Sequence, residues 1–394
     1  MFAGILRAGS FALLPLLVAC GAAEPQRAPL ASAKPPPAVS AHPSVTAAAP
    51  VASAPIAPSA STAPLNPNEL TLPSAWPCPP PEGEIQKAAD SEGATSFVAY
   101  DGELYWSNGR SIWRQRVGEK PTMLLRTVTP FPLSELYAQG DDLFILAKQS
   151  YSTTCTGNVH VVPRKGGKVE TLLSGKCPAS IAANASHIAI VVRTAHPEGG
   201  GWESGNLYLV ERGSGKPAVK VGEDAVGTDS GVAMLQDRVF IEPSAGQVHS
   251  VLLERPNRFD GVANSSLLRF AFGYQDLRLL ATNGSDTVFY YGSGSADGGP
   301  RLFKVDAKGG EPQALASFSD IERARPPGMN LAVSEKYAYL THPNSGYVLR
   351  AALSGKCGGE FFAKERGNPD WVQVMDGWVY WLDKDRGTVW RRKE

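Results

Sequence analysis

An all-β domain, a seven-bladed β-propeller of four-stranded antiparallel blades, is the fold that three observations in the sequence predict. Short apolar runs recur along residues 82–394 at intervals of roughly 40 to 50 residues, the mark of a repeated supersecondary unit. These runs are rich in Val, Ile, Leu, Tyr and Trp and show no sustained helical stripe with caps, which suits strands. Turn pairs such as Asn108-Gly109, Gly166-Gly167 and Gly309-Gly310 separate neighbouring runs.

Taken in order, residues 1–19 read as a lipoprotein signal peptide. Arg7 precedes the apolar run Ala8–Ala19, which is too short for a lasting transmembrane helix and fits the core of an export signal. Leu17-Val18-Ala19-Cys20-Gly21 looks like a bacterial lipobox, in which cleavage before the cysteine leaves its thiol to carry lipid. A secretory signal with a chance cysteine is the alternative. The likeness implies lipidation at Cys20, and Gly21 in place of an aspartate implies sorting to an outer membrane. The expected location is the bacterial cell envelope, lipid-anchored, on the periplasmic or surface face.

Residues 20–81, which begin with the lipidated cysteine, read as a linker. Half of the chain's 32 prolines fall between residues 22 and 81, and between Gly21 and Ala75 only Glu24, Arg27, Lys34 and Glu69 are charged. Proline removes backbone donors, and few large side chains are present to offset the entropy of ordering. The expectation is a disordered tether, on the order of 170 Å when extended and roughly 40 Å as a coil.

The domain of residues 82–394 carries the repeats. Its strand centres read GELYWS (102–107), DLFILA (142–147), HIAIVV (187–192), RVFIEP (238–243), TVFYYG (287–292), YAYLTH (337–342) and WVYWLD (378–383). A short run precedes each. A third strand such as SIWRQR or NVHVVP comes after most of them, and usually a fourth such as TMLLR. One four-stranded unit cannot cover both its faces, whereas a ring of such units covers them all. A β-sandwich, the alternative, needs neither similar units nor even spacing. The fourth unit is irregular over 247–273, where its outer strands are not cleanly assigned. The last unit lacks a fourth strand, because only Lys393 and Glu394 come after TVWRR; EIQKAA (84–89) is expected to supply it and close the ring.

The Tyr-Trp-Ser-Asn of 105–108 and VYWLDKDRGTVWR of 379–391 resemble the YWTD-type propeller repeats of lipoprotein-receptor ectodomains. They are also similar to related bacterial β-propeller repeat lipoproteins of uncharacterised function. The resemblance spans roughly 84–394 and implies the propeller fold. Only Tyr105-Trp106 and Tyr380-Trp381 keep the aromatic pair, and the receptor propellers have six blades, so fold carries over and ligand does not.

Four cysteines remain beside Cys20, and an exported chain favours disulfides. Cys155 precedes the third strand of its unit and Cys177 comes after the fourth, ends that lie together in an antiparallel hairpin. Cys357 then pairs with Cys78 by elimination. Metal binding is the rival, but Cys155 and Cys177 lack the close paired spacing of a zinc site.

Functional signals are sparse. With 38 basic and 38 acidic residues the net charge is zero, which disfavours nucleic acid as a partner. No HExxH or GxSxG pattern occurs, and neither a catalytic residue, a metal site nor a cofactor is indicated. Asp383-Lys384-Asp385 reads as a hairpin turn and His160 as an ordinary strand residue. His196 and His342 each precede a proline just beyond an inner strand, which makes them the candidates for ligand contact. Trp202, in a glycine-rich loop, is a third candidate, either an exposed anchor or a cap over a blade edge. The expected role is an envelope-tethered, monomeric binding or scaffolding module for a protein, peptide or glycan, more a binder than an enzyme. A lyase or hydrolase with its site in the central funnel, or a structural envelope component, are the alternatives.

Overall fold

The computed structural model describes residues 78–126, 130–150, 155–195, 202–226, 231–241, 247–256, 259–264, 280–284, 286–293, 300–310, 312–317, 330–343, 346–357, 359–364 and 367–394. The signal peptide, Cys20, the linker through residue 77 and His196 lie outside the described residues.

The described chain is all strand and turn. After β1 (Gln86–Asp90) comes an antiparallel sheet of β2–β5 (Ser96–Tyr100, Glu103–Ser107, Ser111–Arg116, Thr122–Arg126). Then come β6–β12 (Leu133–Gln139, Asp142–Ser150, Cys155–Pro163, Glu170–Ala183, His187–Ala195, Trp202–Glu211, Val219–Val226). Next are β13–β16 (Val232–Met234, Arg238–Ile241, Gln247–Leu252, Phe259–Asn264) and β17–β20 (Leu280–Thr282, Thr287–Ser293, Pro300–Asp306, Gln313–Ser317). β21–β24 are Leu331–Val333, Tyr337–His342, Tyr347–Ala352 and Glu360–Ala363, and β25–β27 are Pro369–Met375, Trp378–Asp383 and Thr388–Lys393. The first strands of successive sheets touch around an axis: β13 meets β17, β17 meets β21, β21 meets β25, and β25 returns to β2, which meets β6. This is a propeller.

The expected count of seven four-stranded blades is corrected to five. β2–β5, β13–β16, β17–β20, β21–β24 and the last sheet are four-stranded, whereas β6–β12 form one continuous sheet of seven strands. The cause lies in β9, which is 14 residues long. Its first half pairs with β8 up to Gly157↔Lys176, and its second half pairs with β10 from Arg193↔Cys177. The ladder continues through Ser174–Pro178, where Gly175 bulges at a left-handed φ of +65° and donates its N–H to Asn158 Oδ1 at 3.2 Å. The Cys155–Cys177 disulfide anchors the passage beside the start of β8. In the irregular fourth unit β15 and β16 are the outer strands, and 265–279 lie outside the described residues.

The second strand of each sheet reads as an unbroken apolar run for a simple reason. Leu104–Ser107 in β3, Leu143–Ala147 in β7 and Val379–Asp383 in β26 are buried at every position, because a neighbouring sheet covers each face. In β3, Leu104 and Trp106 pack with Trp371, Tyr380 and Leu382, while Tyr105 between them packs with Leu136, Leu143 and Val162 on the other side. Each large side chain so buried contributes about 1.5–3 kcal/mol. The outermost strand β5 has no sheet beyond it and is mostly exposed.

Ring closure joins the two ends of the described chain. β1 pairs antiparallel with β27 through Gln86↔Arg391, Lys87↔Trp390, Ala89↔Val389 and Asp90↔Thr388, giving the sheet order β1-β27-β26-β25. Arg392 Nε donates to the carbonyl of Gly83 at 3.0 Å and its Nη2 to that of Pro81 at 3.1 Å. A disulfide then joins Cys78 to Cys357. Beside it Arg350, only 2 % exposed, pairs with Glu360, donates to the carbonyl of Pro79 and lies over the Tyr337 ring at 4.7 Å.

Candidate functional site

In each antiparallel meander the turns joining first to second and third to fourth strands share one face of the disc. On that face the turns of β2–β5 and the first turns of β6–β12 enclose an open cleft of about 470 Å³. Five cationic and four anionic side chains line it.

Its floor is built around Arg164, which comes directly after β8. Two glycines in the left-handed region, Gly166 at φ +91° and Gly167 at φ +145°, reverse the chain there, a course closed to residues with side chains. Arg164 is 9 % exposed on its side chain and fully engaged: Nε donates to the Gly140 carbonyl at 2.6 Å, Nη2 to Asp101 at 2.8 Å and Nη1 to the Tyr105 hydroxyl at 3.3 Å. Its guanidinium lies 4.8 Å from the centre of the Tyr100 ring. The Tyr105 hydroxyl in turn donates to Glu103. Burial, and after it the Glu103 carboxylate, push the Tyr105 phenol up to about 12, so it stays a donor at neutral pH.

Glu103 is the hub. Arg164 Nη1, Arg116 Nε and Arg114 Nε stand 3.7, 3.7 and 3.9 Å from its oxygens. Those distances exceed hydrogen-bond length, so the three cations neutralise the carboxylate through space, and Arg114 Nη1 donates instead to the Arg164 carbonyl at 3.3 Å. Gln115, between the two arginines in sequence, is 8 % exposed and turns to the other face of β4, opposite Leu104. Its Nε2 donates to the Glu119 carbonyl at 2.8 Å, which fixes the amide's orientation, and its Oε1 is buried with no hydrogen-bond partner. Lys120 and Lys165 stand exposed at the rim and make no ion pair among the described residues.

The residues that the sequence put forward fall elsewhere. His342 ends β22 and is 0 % exposed; burial holds its imidazole below the usual range. Trp202 begins β11, paired across the ladder with Ala195, and its side chain, like all of His196, lies outside the described residues. The disulfides Cys155–Cys177 and Cys78–Cys357 both form. His160 is a partly buried strand residue with Nδ1 3.0 Å from Thr171 Oγ1. Asp383-Lys384-Asp385 is a hairpin turn, where Asp383 Oδ1 accepts from the backbone of Asn368 and Arg386 at 3.2 and 3.3 Å. Among the described residues no three His, Cys, Asp or Glu side chains gather to hold a metal ion.

The cleft was missed, although a signal for it existed. Arg116-Val117-Gly118-Glu119-Lys120 and Arg164-Lys165-Gly166-Gly167-Lys168 are basic turns between the third and fourth strands of consecutive repeats, which a ring places side by side on one face.

No protein-family model and no curated protein matches the chain. Solved structures do. A selenomethionine-substituted virginiamycin B lyase from Staphylococcus aureus matches with a TM-score of 0.57 at 8 % identity, over 79 % of this chain and 98 % of that one. A streptogramin B lyase matches with 0.54 at 9 %, over 78 % and 96 %. YCF48 bound to D1 peptide matches with 0.50 at 12 %, over 83 % and 98 %. At these identities the likeness is one of fold: the chain is a β-propeller, and the resemblance to YWTD-type repeats holds at that level alone.

Proposed function

We propose that the chain is a binding module held at the bacterial envelope, with the cleft between β2–β5 and β6–β9 as its recognition site for a protein or peptide. The observation that carries this reading is the cleft itself. Its floor is a closed network around Arg164 and Glu103, while Arg116, Lys120 and Lys165 stand exposed above it with donors to spare. A rigid polar base with unsaturated donors at its rim suits recognition. The lipobox-like Cys20 and the proline-rich linker support tethering, with lipid on Cys20 anchored in an outer membrane and the linker holding the domain clear of it. The propeller scaffold itself serves different ends, since its structural neighbours include both lyases and the peptide-bound YCF48.

Two measurements test the reading. Metabolic labelling with radioactive palmitate should mark the full chain and not its Cys20→Ala variant; a label that survives the substitution removes the anchor. A displayed library of random peptides panned on the immobilised full chain should enrich binders that lose affinity when Lys120 and Lys165 are both changed to Glu. Binders indifferent to those changes would move the site away from the cleft.

A further inference from the structure

We infer that the cleft selects an extended peptide segment by its carboxylates, which seat among Arg114, Arg116, Lys120 and Lys165 while its main chain continues the edge of β5. The inference rests on the binding role proposed for the cleft and deepens it. Charge decides the sign of the ligand. Five cations face four carboxylates, a net of +1, and the excess sits where Asp101, tied to Arg164 at 2.8 Å, and Glu103 are met by three arginines. Arg114 and Arg116 stand too far from Glu103 for hydrogen bonds, and Lys120 and Lys165 have no ion-pair partner among the described residues. Arg114 Nη1 donates to the Arg164 carbonyl at 3.3 Å, and a carboxylate placed there meets the remaining guanidinium donors of Arg114 and Arg116, which Arg offers paired in a plane.

The sheet edge favours a peptide over an acidic glycan or a free anion. Thr122, on the cleft wall, begins β5, the last strand of its sheet, so an edge of main-chain groups leads straight out of the cleft. Met123, 52 % exposed on that strand, adds an apolar contact. An extended peptide can continue the sheet there while its acidic side chains meet the rim.

The test uses the full chain and three fluorescein-labelled probes measured by anisotropy: a peptide of alternating Glu and Val, its Lys and Val counterpart, and an oligogalacturonate. The acidic peptide should bind, and weaken as salt rises. It should lose roughly tenfold or more in affinity with K120E/K165E, whose exposed positions leave the fold intact. A thermal melt of the variant confirms folding. Equal binding of the basic peptide, or an acidic-peptide affinity unmoved by K120E/K165E, overturns the inference and leaves the binding role standing. Oligogalacturonate bound more tightly than the acidic peptide overturns the peptide assignment. If no probe and no library peptide binds, both the inference and the binding role fall.

Discussion

Replacing Cys78 and Cys357 together by alanine removes the link that spans most of the domain, and the loop it closes sets the cost. The two cysteines are 279 residues apart in sequence, against 22 for Cys155 and Cys177. A crosslink restricts the unfolded chain by an amount that grows with the logarithm of loop length. That gives about 5.5 kcal/mol for the long loop and about 3.4 kcal/mol for the short one, a difference of roughly 2 kcal/mol. The folded state widens the gap. Without the disulfide the Pro79 carbonyl is free to leave the buried Arg350 guanidinium, which then loses one acceptor, a further ~1 kcal/mol. The assay is guanidinium unfolding of the oxidised chain and of the two double-alanine variants, monitored by tryptophan fluorescence and by circular dichroism. The midpoint should fall furthest for Cys78/Cys357. Were the Cys155/Cys177 variant equally destabilised, or the Cys78/Cys357 variant unchanged, loop closure would not be what fastens the ends, and the β1–β27 ladder would carry that task alone.

The packing and the buried titrating groups set three further outcomes. Gly157→Ala should cost about 1–3 kcal/mol or more in a thermal melt, because its Cβ would stand 2.3 Å from the Ala147 carbonyl oxygen, a backbone atom that cannot swing aside; an unchanged melting temperature refutes that close approach. Ala89→Asp should destabilise by several kcal/mol, on the order of burying an unpaired carboxylate, since Ala89 is 3 % exposed beside Val389, whereas Gln86→Asp at the exposed start of β1 should be nearly neutral; equal effects would show that β1 is not the closing strand. Stability should also fall at both ends of the pH scale. Tyr105 moves from 10.0 to about 12, and burial raises Tyr137 and Tyr380 too, so their contribution is complete below pH 10 and is lost as pH rises towards 12, about 3 kcal/mol for Tyr105 alone. Burial lowers His342 below 6.5, so its contribution is complete above that value and is lost as pH falls from there through the lowered value of the folded chain. Melts across pH, with tyrosinate absorbance at the alkaline end, check both; early titration of all tyrosines would contradict their burial.

Much of the fold was legible because burial on both faces writes itself into consecutive residues. Leu104–Ser107 and Val379–Asp383 needed no alternation to be read as strands, and their recurrence at even spacing implied a ring. The closing role of residues near 84–89 was legible too: EIQKAA stands ahead of the first complete unit, and β1 does pair with β27. The passage through Ser174–Pro178 was not. Glycine and proline there signal a loop, and only the pairing of both halves of β9 overrides that local preference. The cleft was hidden for a different reason. Arg114 and Arg164 look like ordinary strand-end and turn residues, and their meeting depends on how two repeats are turned about the axis, which linear spacing does not carry. His342 shows the reverse case: its place before a proline suggested a rim, yet the residue ends a strand covered on both sides.

The Cys78–Cys357 bond also decides where mechanical load enters. Any tension on the chain ahead of Cys78 passes through sulfur into the turn after β23 and is borne by covalent bonds, bypassing the short segment that completes the last sheet. β1 therefore sits slack behind a fixed mooring, and its ladder with β27 cannot be peeled open from the N-terminal side while that bond is intact.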